Sequence, residues 1–175
     1  SLAVLYGMTE YGLAQSVGES PAVARDLIKL HKRIYPKYWE WSQAAIDHAM
    51  IHGYLRTTFG WMLHVDEKVK HRTLMNFPCQ ANGADMLRLA CSYTVEAGVK
   101  VCAPVHDALL IEAPEEKLDW AIAETQRCME LASSYVLDGC HLQSDAQIVR
   151  YSDRFLESDE DRRIWNLVSE ILSKK

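Results

Sequence analysis

The sequence has no apolar run near the ~20 residues of a membrane span and no basic segment leading into an apolar one, so neither a membrane span nor a signal peptide is expected. Its five cysteines are odd in number and form no Cys-x-x-Cys pair, which argues against a disulfide framework and favours a reducing cytoplasm. It also lacks excess positive charge, since the net charge is −5, and composition alone does not indicate nucleic-acid binding. We therefore expect a cytoplasmic protein with no membrane partner.

What the chain does have is enough apolar content for a core. Hydrophobic residues make up 49% of its 175 positions, which makes disorder unexpected. Ser20-Pro21 is typical of a helix start and predicts a helix ending before Pro36. A second helix is expected from Pro36 to a C-terminal glycine, Gly53. The segment 2–17 is predicted to be one helix.

Further along, helices and short strands alternate in a way that predicts an α+β fold, helix-rich with a small antiparallel sheet. The long helix predicted over 68–96 contains Pro78, which should kink it. The other predicted elements are strands 54–58, 61–65, 99–103, 108–111 and 142–149, and helices from Pro114 to about Leu137 and over 159–172.

The stretch from Cys102 to Pro114 places His106-Asp107 between two apolar runs, at the tip of a predicted β-hairpin. An Asp in a turn commonly bonds its own backbone, and that ordinary interpretation is open here. The alternative is a functional carboxylate, because strongly apolar flanking strands hold a turn rigidly, as a site requires.

Arg72, Asn76 and Gln80 recur every four residues and therefore share one face of the long helix. A solvated polar stripe is the commoner meaning of such spacing. The alternative is a row of hydrogen-bond donors that lies along a ligand.

The His-Asp hairpin, the segment Asn76 to Asp85 and the opening Val4-Leu5-Tyr6-Gly7-Met8 occur in the order found in family A DNA polymerases. The chain resembles the last third of such a polymerase, of the bacterial DNA polymerase I type. The resemblance implies that Asp107 is catalytic and binds Mg²⁺, the hard cation that prefers carboxylate oxygens. It places His106 near the primer terminus, in a positioning role.

The same resemblance assigns DNA contacts to the polar row and to the start of the chain. In the family, the residues that match Arg72, Asn76 and Gln80 contact the minor groove of the primer-template, where every base pair presents hydrogen-bond acceptors. Tyr6 would stack near the templating base and Gly7 would give the backbone room, whereas the local pattern equally allows a core tyrosine. Leu2 lies where family members carry a Phe or Tyr that senses the incoming sugar, so Leu2 and Tyr6 are the nucleotide-binding candidates.

One departure from the family pattern stands beside the predicted metal ligand. The family usually has Glu after the His-Asp pair, and this chain has Ala108. The substitution removes a nearby negative charge and is expected to weaken metal affinity.

The resemblance also implies a division of the chain and a set of partners. Residues 1–60 would form fingers-type helices and 61–175 a palm-type part with the hairpin at 99–113. The family's first catalytic Asp and its nucleotide-binding Arg and Lys would lie upstream, so we expect a fragment that is inactive alone. Expected partners are primer-template DNA, dNTP and the missing N-terminal polymerase part, with self-association possible through the truncated edge.

Two other functions stay open at the level of sequence. One alternative is a non-catalytic DNA-binding or interaction module with the same fold. The other is an unrelated hydrolytic enzyme that uses His106-Asp107. His48 and His52 are spaced for a zinc pair on one helix, but no third ligand is evident and surface histidines are the simpler interpretation.

Overall fold

The structure is a computed structural model that describes residues 2–151, 153, 155 and 158–174, without the side chains of Leu2 and Asp159. The chain divides into two compact units, Ser1–Ser144 and Asp145–Lys175. The larger unit holds six of the seven described helices and both described β-hairpins.

Four helices open the larger unit, and their ends follow the capping signals. They are α1 (Leu2–Leu5), α2 (Glu10–Val17), α3 (Pro21–Ile34) and α4 (Pro36–His52). The hydroxyl of Ser20 accepts a hydrogen bond from the backbone N–H of Val23, and Gly53 ends α4 in the left-handed conformation, as expected.

The single helix predicted over 2–17 is wrong, because the chain breaks between α1 and α2. Gly7 takes a φ of 76°, which ends α1, and Thr9 starts α2 by accepting a hydrogen bond from the N–H of Gly12. The break turns the backbone of Tyr6 and Gly7 toward the long helix.

Next comes a hairpin of β1 (Tyr54–Arg56) and β2 (Met62–His64), paired antiparallel with Leu55 opposite Leu63. It leads into α5 (His71–Glu96), which begins three residues later than predicted and contains Pro78. The strand β1 contacts α5, so this hairpin lies against the long helix.

The second hairpin joins β3 (Lys100–Val105) and β4 (Ala108–Glu112) through the two-residue loop His106-Asp107, as the sequence predicts. Its register is Lys100 opposite Glu112 and Val105 opposite Ala108, with an irregularity at Cys102. The two hairpins form separate two-stranded sheets within the described residues.

A short 3-10 turn (Glu115–Lys117) leads into α6 (Leu118–Val136), which packs along α5. The strand predicted over 142–149 is wrong, since these residues take no regular structure. Their carbonyl and N–H groups instead bond side chains of α6: Gln126 donates to the carbonyl of Ser144, and Ser133 accepts from the N–H of Leu142. The smaller unit holds α7 (Asp159–Ser173).

Two clusters of buried residues hold the larger unit together. One joins α4, β1 and α5 and the other joins α1, α2 and α3, and Trp39 packs against both. Helices with two small hairpins confirm the predicted α+β class. Among the residues described, no helix has the length and apolarity to cross a membrane.

Candidate functional site

The structure places the three predicted donors on one face of α5. Arg72 and Gln80 are exposed and Asn76 is half-buried. Nε of Arg72 donates to the carbonyl oxygen of Tyr6 at 2.9 Å, and Nδ2 of Asn76 donates to the same oxygen at 3.3 Å. The helix face and the start of the chain, although about 70 positions apart in sequence, therefore form one surface.

The corner at Tyr6 and Gly7 is held closely against α5. A side chain at Gly7 would bring Cβ to 2.7 Å from Cε of Met75, which is closer than van der Waals contact allows. On the other side, the hydroxyl of Tyr38 donates to the carbonyl oxygen of Leu5 at 2.8 Å. Tyr6 itself is 36% exposed, so it is not the core tyrosine that the local pattern allowed.

The hairpin tip presents His106 and Asp107 to solvent. His106 has a φ of 54°, a conformation that non-glycine residues rarely adopt and that is enriched at functional turns. Within the described part of the chain neither side chain makes a hydrogen bond or ion pair, so the carboxylate of Asp107 stays available. Ala108, beside it, is also exposed.

A charge pair lies at the opposite end of this hairpin from Asp107. Nζ of Lys100 donates to the Glu112 carboxylate at 2.9 Å, and this hydrogen bond lowers the pKa of Glu112 and raises the pKa of Lys100. Lys100 and Glu112 are the first and last paired residues of the hairpin, at the end away from Asp107. Because Glu112 matches the charge of Lys100, that charge does not neutralise Asp107.

The described residues do not complete a metal site by themselves. No group of three or more His, Cys, Asp or Glu side chains in the described ranges is placed to hold an ion. Asp107 offers one carboxylate, whereas Mg²⁺ takes about six oxygen ligands, some of them water. His48 and His52 are exposed with ring centroids 4.3 Å apart, and they too lack a third ligand among the residues described.

One residue that the sequence pattern did not single out ties the long helix α5 to the first hairpin. Nδ2 of Asn82 donates to the carbonyl oxygen of Pro78 at 2.7 Å, and its Oδ1 accepts from the N–H of Thr58 at 3.0 Å. The only signal for it was its position within the distinctive segment from Asn76 to Asp85. The side chain of Leu2 lies outside what the structure describes.

A model of DNA polymerase family A matches residues 1–150 of the chain. DNA polymerase I of Deinococcus radiodurans is 30% identical over 143 residues, which is 74% of this chain and 15% of that protein. DNA polymerase I of Caldicellulosiruptor bescii is 31% identical over 147 residues, or 75% of this chain and 17% of that protein.

Among solved structures, the fold is similar to the POL domain of Pol1 from M. smegmatis in complex with DNA primer-template and dNTP. The TM-score is 0.67 at 23% identity, over 75% of this chain and 26% of that one. This likeness supports the fold assigned above. The chain spans about a sixth of the length of the curated relatives just described, 15% and 17%.

Proposed function

The chain belongs to DNA polymerase family A, and we propose that it is part of a DNA-directed DNA polymerase that adds nucleotides to a primer 3′-hydroxyl under template direction. The side of α5 that carries Arg72, Asn76 and Gln80 is its donor face. The observation that carries this proposal is the continuous surface formed by the donor face and the corner at Tyr6 and Gly7. That surface joins two of the three segments on which the resemblance rests.

In this proposal the donor face of α5 contacts the minor groove of the primer-template. The hydrogen bond to Tyr6 uses only Nε of Arg72, so its two terminal nitrogens remain able to donate. The exposed amide of Gln80 makes no hydrogen bond within the part of the chain described. Both groups match the acceptors that every base pair presents in the minor groove, which suits binding without sequence preference.

Tyr6 supplies the second contact. Tyr6 is partly exposed, and its carbonyl is fixed by Arg72 and Asn76, so the backbone that carries the ring is held at one place on the surface. A ring in this position can stack on a base, which contributes about 1–3 kcal/mol in nucleic-acid-binding proteins. We assign Tyr6 to the templating base and the incoming nucleotide, with Gly7 beside it, and keep Leu2 as a nucleotide-binding candidate.

At the hairpin tip, Asp107 would supply one carboxylate ligand to Mg²⁺, and His106 would lie beside the primer terminus. The exposed, unpaired carboxylate supports this assignment. The described residues hold no three-ligand cluster, and this proposal takes the remaining protein ligands from the upstream polymerase part that the resemblance implies. The chain by itself is therefore expected not to extend a primer.

The partner that completes the enzyme would be the N-terminal part of a polymerase. An apolar stripe on α3 supports a docking surface in this chain: Val23, Leu27, Leu30 and Ile34 are 42–57% exposed. They recur at i, i+4, i+7 and i+11, so they lie on one side of the helix. Exposed apolar stripes of this kind mark interaction surfaces.

A second candidate is a non-catalytic DNA-binding module with the polymerase fold. Ala108 favours it, because it gives no second carboxylate beside Asp107. Both candidates require DNA binding, and they differ in whether Asp107 matters for nucleotide transfer in a completed enzyme.

Binding of a labelled primer-template duplex, followed by fluorescence anisotropy at two salt concentrations, tests the shared requirement. We expect binding that weakens as salt rises. Gln80→Ala should reduce affinity by about 0.5–1.5 kcal/mol and Arg72→Ala by about 1.5–3 kcal/mol, as for neutral and charged hydrogen bonds.

The matched control is Gln43→Ala on α4, an exposed amide that bonds only its neighbour Asp47 within the described residues. It should bind as the unmodified chain does. Equal affinity of all three variants would contradict the assignment of the donor face to DNA, and absence of binding at low salt would contradict both candidate functions.

A further inference from the structure

Gly83 lies in the interior of α5, where glycine is less favourable than alanine. Its φ is not in the left-handed range. A Cβ built at this position meets no heavy atom within 4 Å. Neither the backbone conformation nor the packing of the described residues therefore requires glycine at this position, which points to a requirement outside the chain.

The position of Gly83 on the helix indicates where that requirement lies. At about 100° per residue, Gly83 falls about 20° from Arg72 and about 20° from Asn76 around the helix axis, between the two. Gln80 lies three residues before it, about one turn along the helix. The buried side of α5 is opposite and carries Leu74 and Asp85. Gly83 thus continues the donor face toward the C-terminal end of the helix.

We propose that Gly83 is a further DNA contact, where the missing side chain lets the sugar-phosphate backbone of the primer-template approach the helix closely. This inference rests on the proposed function. From Arg72 to Gly83 the helix rises about 16 Å, which equals about five base-pair steps of duplex. The contact surface therefore covers one helical turn more than the three donors define.

The charge of this face favours nucleic acid over a polypeptide as the occupant. Between His71 and Val95 the only acidic residue is Asp85, and it is buried, with one of its oxygens paired to Arg88. The face that includes Gly83 presents a guanidinium and two amides and no carboxylate, so nothing on it repels phosphate.

The test compares Gly83→Ala and Gly83→Leu with Ala44→Leu in the same primer-template anisotropy assay, beside thermal unfolding of each variant. Ala44 is exposed on α4, so the same added bulk there lies away from the donor face. We expect Gly83→Ala to unfold at the same or a higher temperature, because its Cβ meets open space and alanine favours the helix.

Despite that stability, Gly83→Ala should bind the duplex more weakly, and Gly83→Leu should lose about tenfold or more, as for overpacking at a close contact. Ala44→Leu should bind like the unmodified chain. If Gln80→Ala weakens binding but both Gly83 variants bind normally, this inference is overturned and the proposed function stands. If the unmodified chain does not bind the duplex, both are overturned.

Discussion

At the scale of single residues, the corner between α1 and α2 depends on Gly7 for two separate reasons. Its φ of 76° disfavours any side chain, and a Cβ there would press on Met75. Gly18 shares only the first reason, since its φ is 70° but a Cβ would meet nothing within 4 Å. We expect Gly18→Ala to reduce the free energy of unfolding by about 1–2 kcal/mol and Gly7→Ala by about 1 kcal/mol more, because the Met75 methyl ends a flexible side chain but is buried.

Urea unfolding of the two variants measures this difference, with Gly18→Ala as the matched control for backbone strain. Gly7→Ala should also weaken duplex binding, because moving the corner displaces the Tyr6 carbonyl from Arg72 and Asn76. Equal destabilisation by the two substitutions would mean that Met75 moves aside without loss and that the corner is not tightly packed.

At the scale of elements, one amide links the long helix to the first hairpin. Because Asn82 bonds both the Pro78 carbonyl and the Thr58 N–H, Asn82→Ala removes two hydrogen bonds. The Pro78 carbonyl keeps its place in the backbone hydrogen-bond pattern of α5, whereas the Thr58 N–H loses the partner that links the hairpin to the helix. We expect a loss of about 1–3 kcal/mol in the free energy of unfolding. Amide hydrogen exchange supplies the specific readout: Thr58 should lose protection, while Gln43→Ala should leave it unchanged. Unchanged protection of Thr58 in Asn82→Ala would contradict the link.

A second element pair is joined by charge, and its pH dependence follows from that. Both oxygens of the Glu10 carboxylate accept hydrogen bonds from the Arg25 guanidinium, at 2.7 and 3.0 Å, which lowers the pKa of Glu10. A lowered folded-state pKa stabilises the fold above the unfolded pKa of about 4.5, and the contribution is lost as pH falls through the lower folded-state value.

The melting temperature of Glu10→Gln should therefore lie slightly below that of the unmodified chain at pH 7, and the two should converge in strong acid. The effect is small because water and salt screen this exposed pair. A difference between the two proteins that persists at low pH would show that Glu10 acts through packing instead of charge.

Elements whose signals are local were predictable, and those that depend on distant partners were not. Ser20-Pro21, Gly53 and the His106-Asp107 loop mark their own boundaries, because caps and tight turns need particular residues. The alternation over 142–149 resembles a strand, but a strand requires a hydrogen-bonded neighbour, and these residues bond α6 side chains instead. The donor row was visible from spacing alone, whereas its contact with Tyr6 joins residues that no local pattern connects.

At the scale of the whole molecule, the apolar stripe on α3 should make the isolated chain associate. Replacing Leu27 and Leu30 together by Lys is expected to shift the chain toward the monomer in concentration-dependent light scattering, because charge opposes burial of that side. Ile51→Lys is the control, since Ile51 is 76% exposed but lies on α4, apart from the stripe on α3. Association that both variants reduce equally would point to nonspecific apolar contact.

The division into fingers-type residues 1–60 and palm-type residues 61–175 stays a prediction.

The catalytic proposal can be tested only in a complete enzyme, so this chain would replace the matched region of the Caldicellulosiruptor bescii DNA polymerase I, to which it is 31% identical. If Asp107 supplies a metal ligand, the chimera should extend a primer in the presence of Mg²⁺. Asp107→Asn should reduce the extension rate by orders of magnitude, because phosphoryl transfer depends on charge neutralisation by the metal. Asp119→Asn, which changes an exposed carboxylate on α6, should retain the rate. A chimera that binds primer-template but extends it no faster than Asp107→Asn would instead support the non-catalytic module, with Ala108 as the departure that accompanies the loss of metal binding.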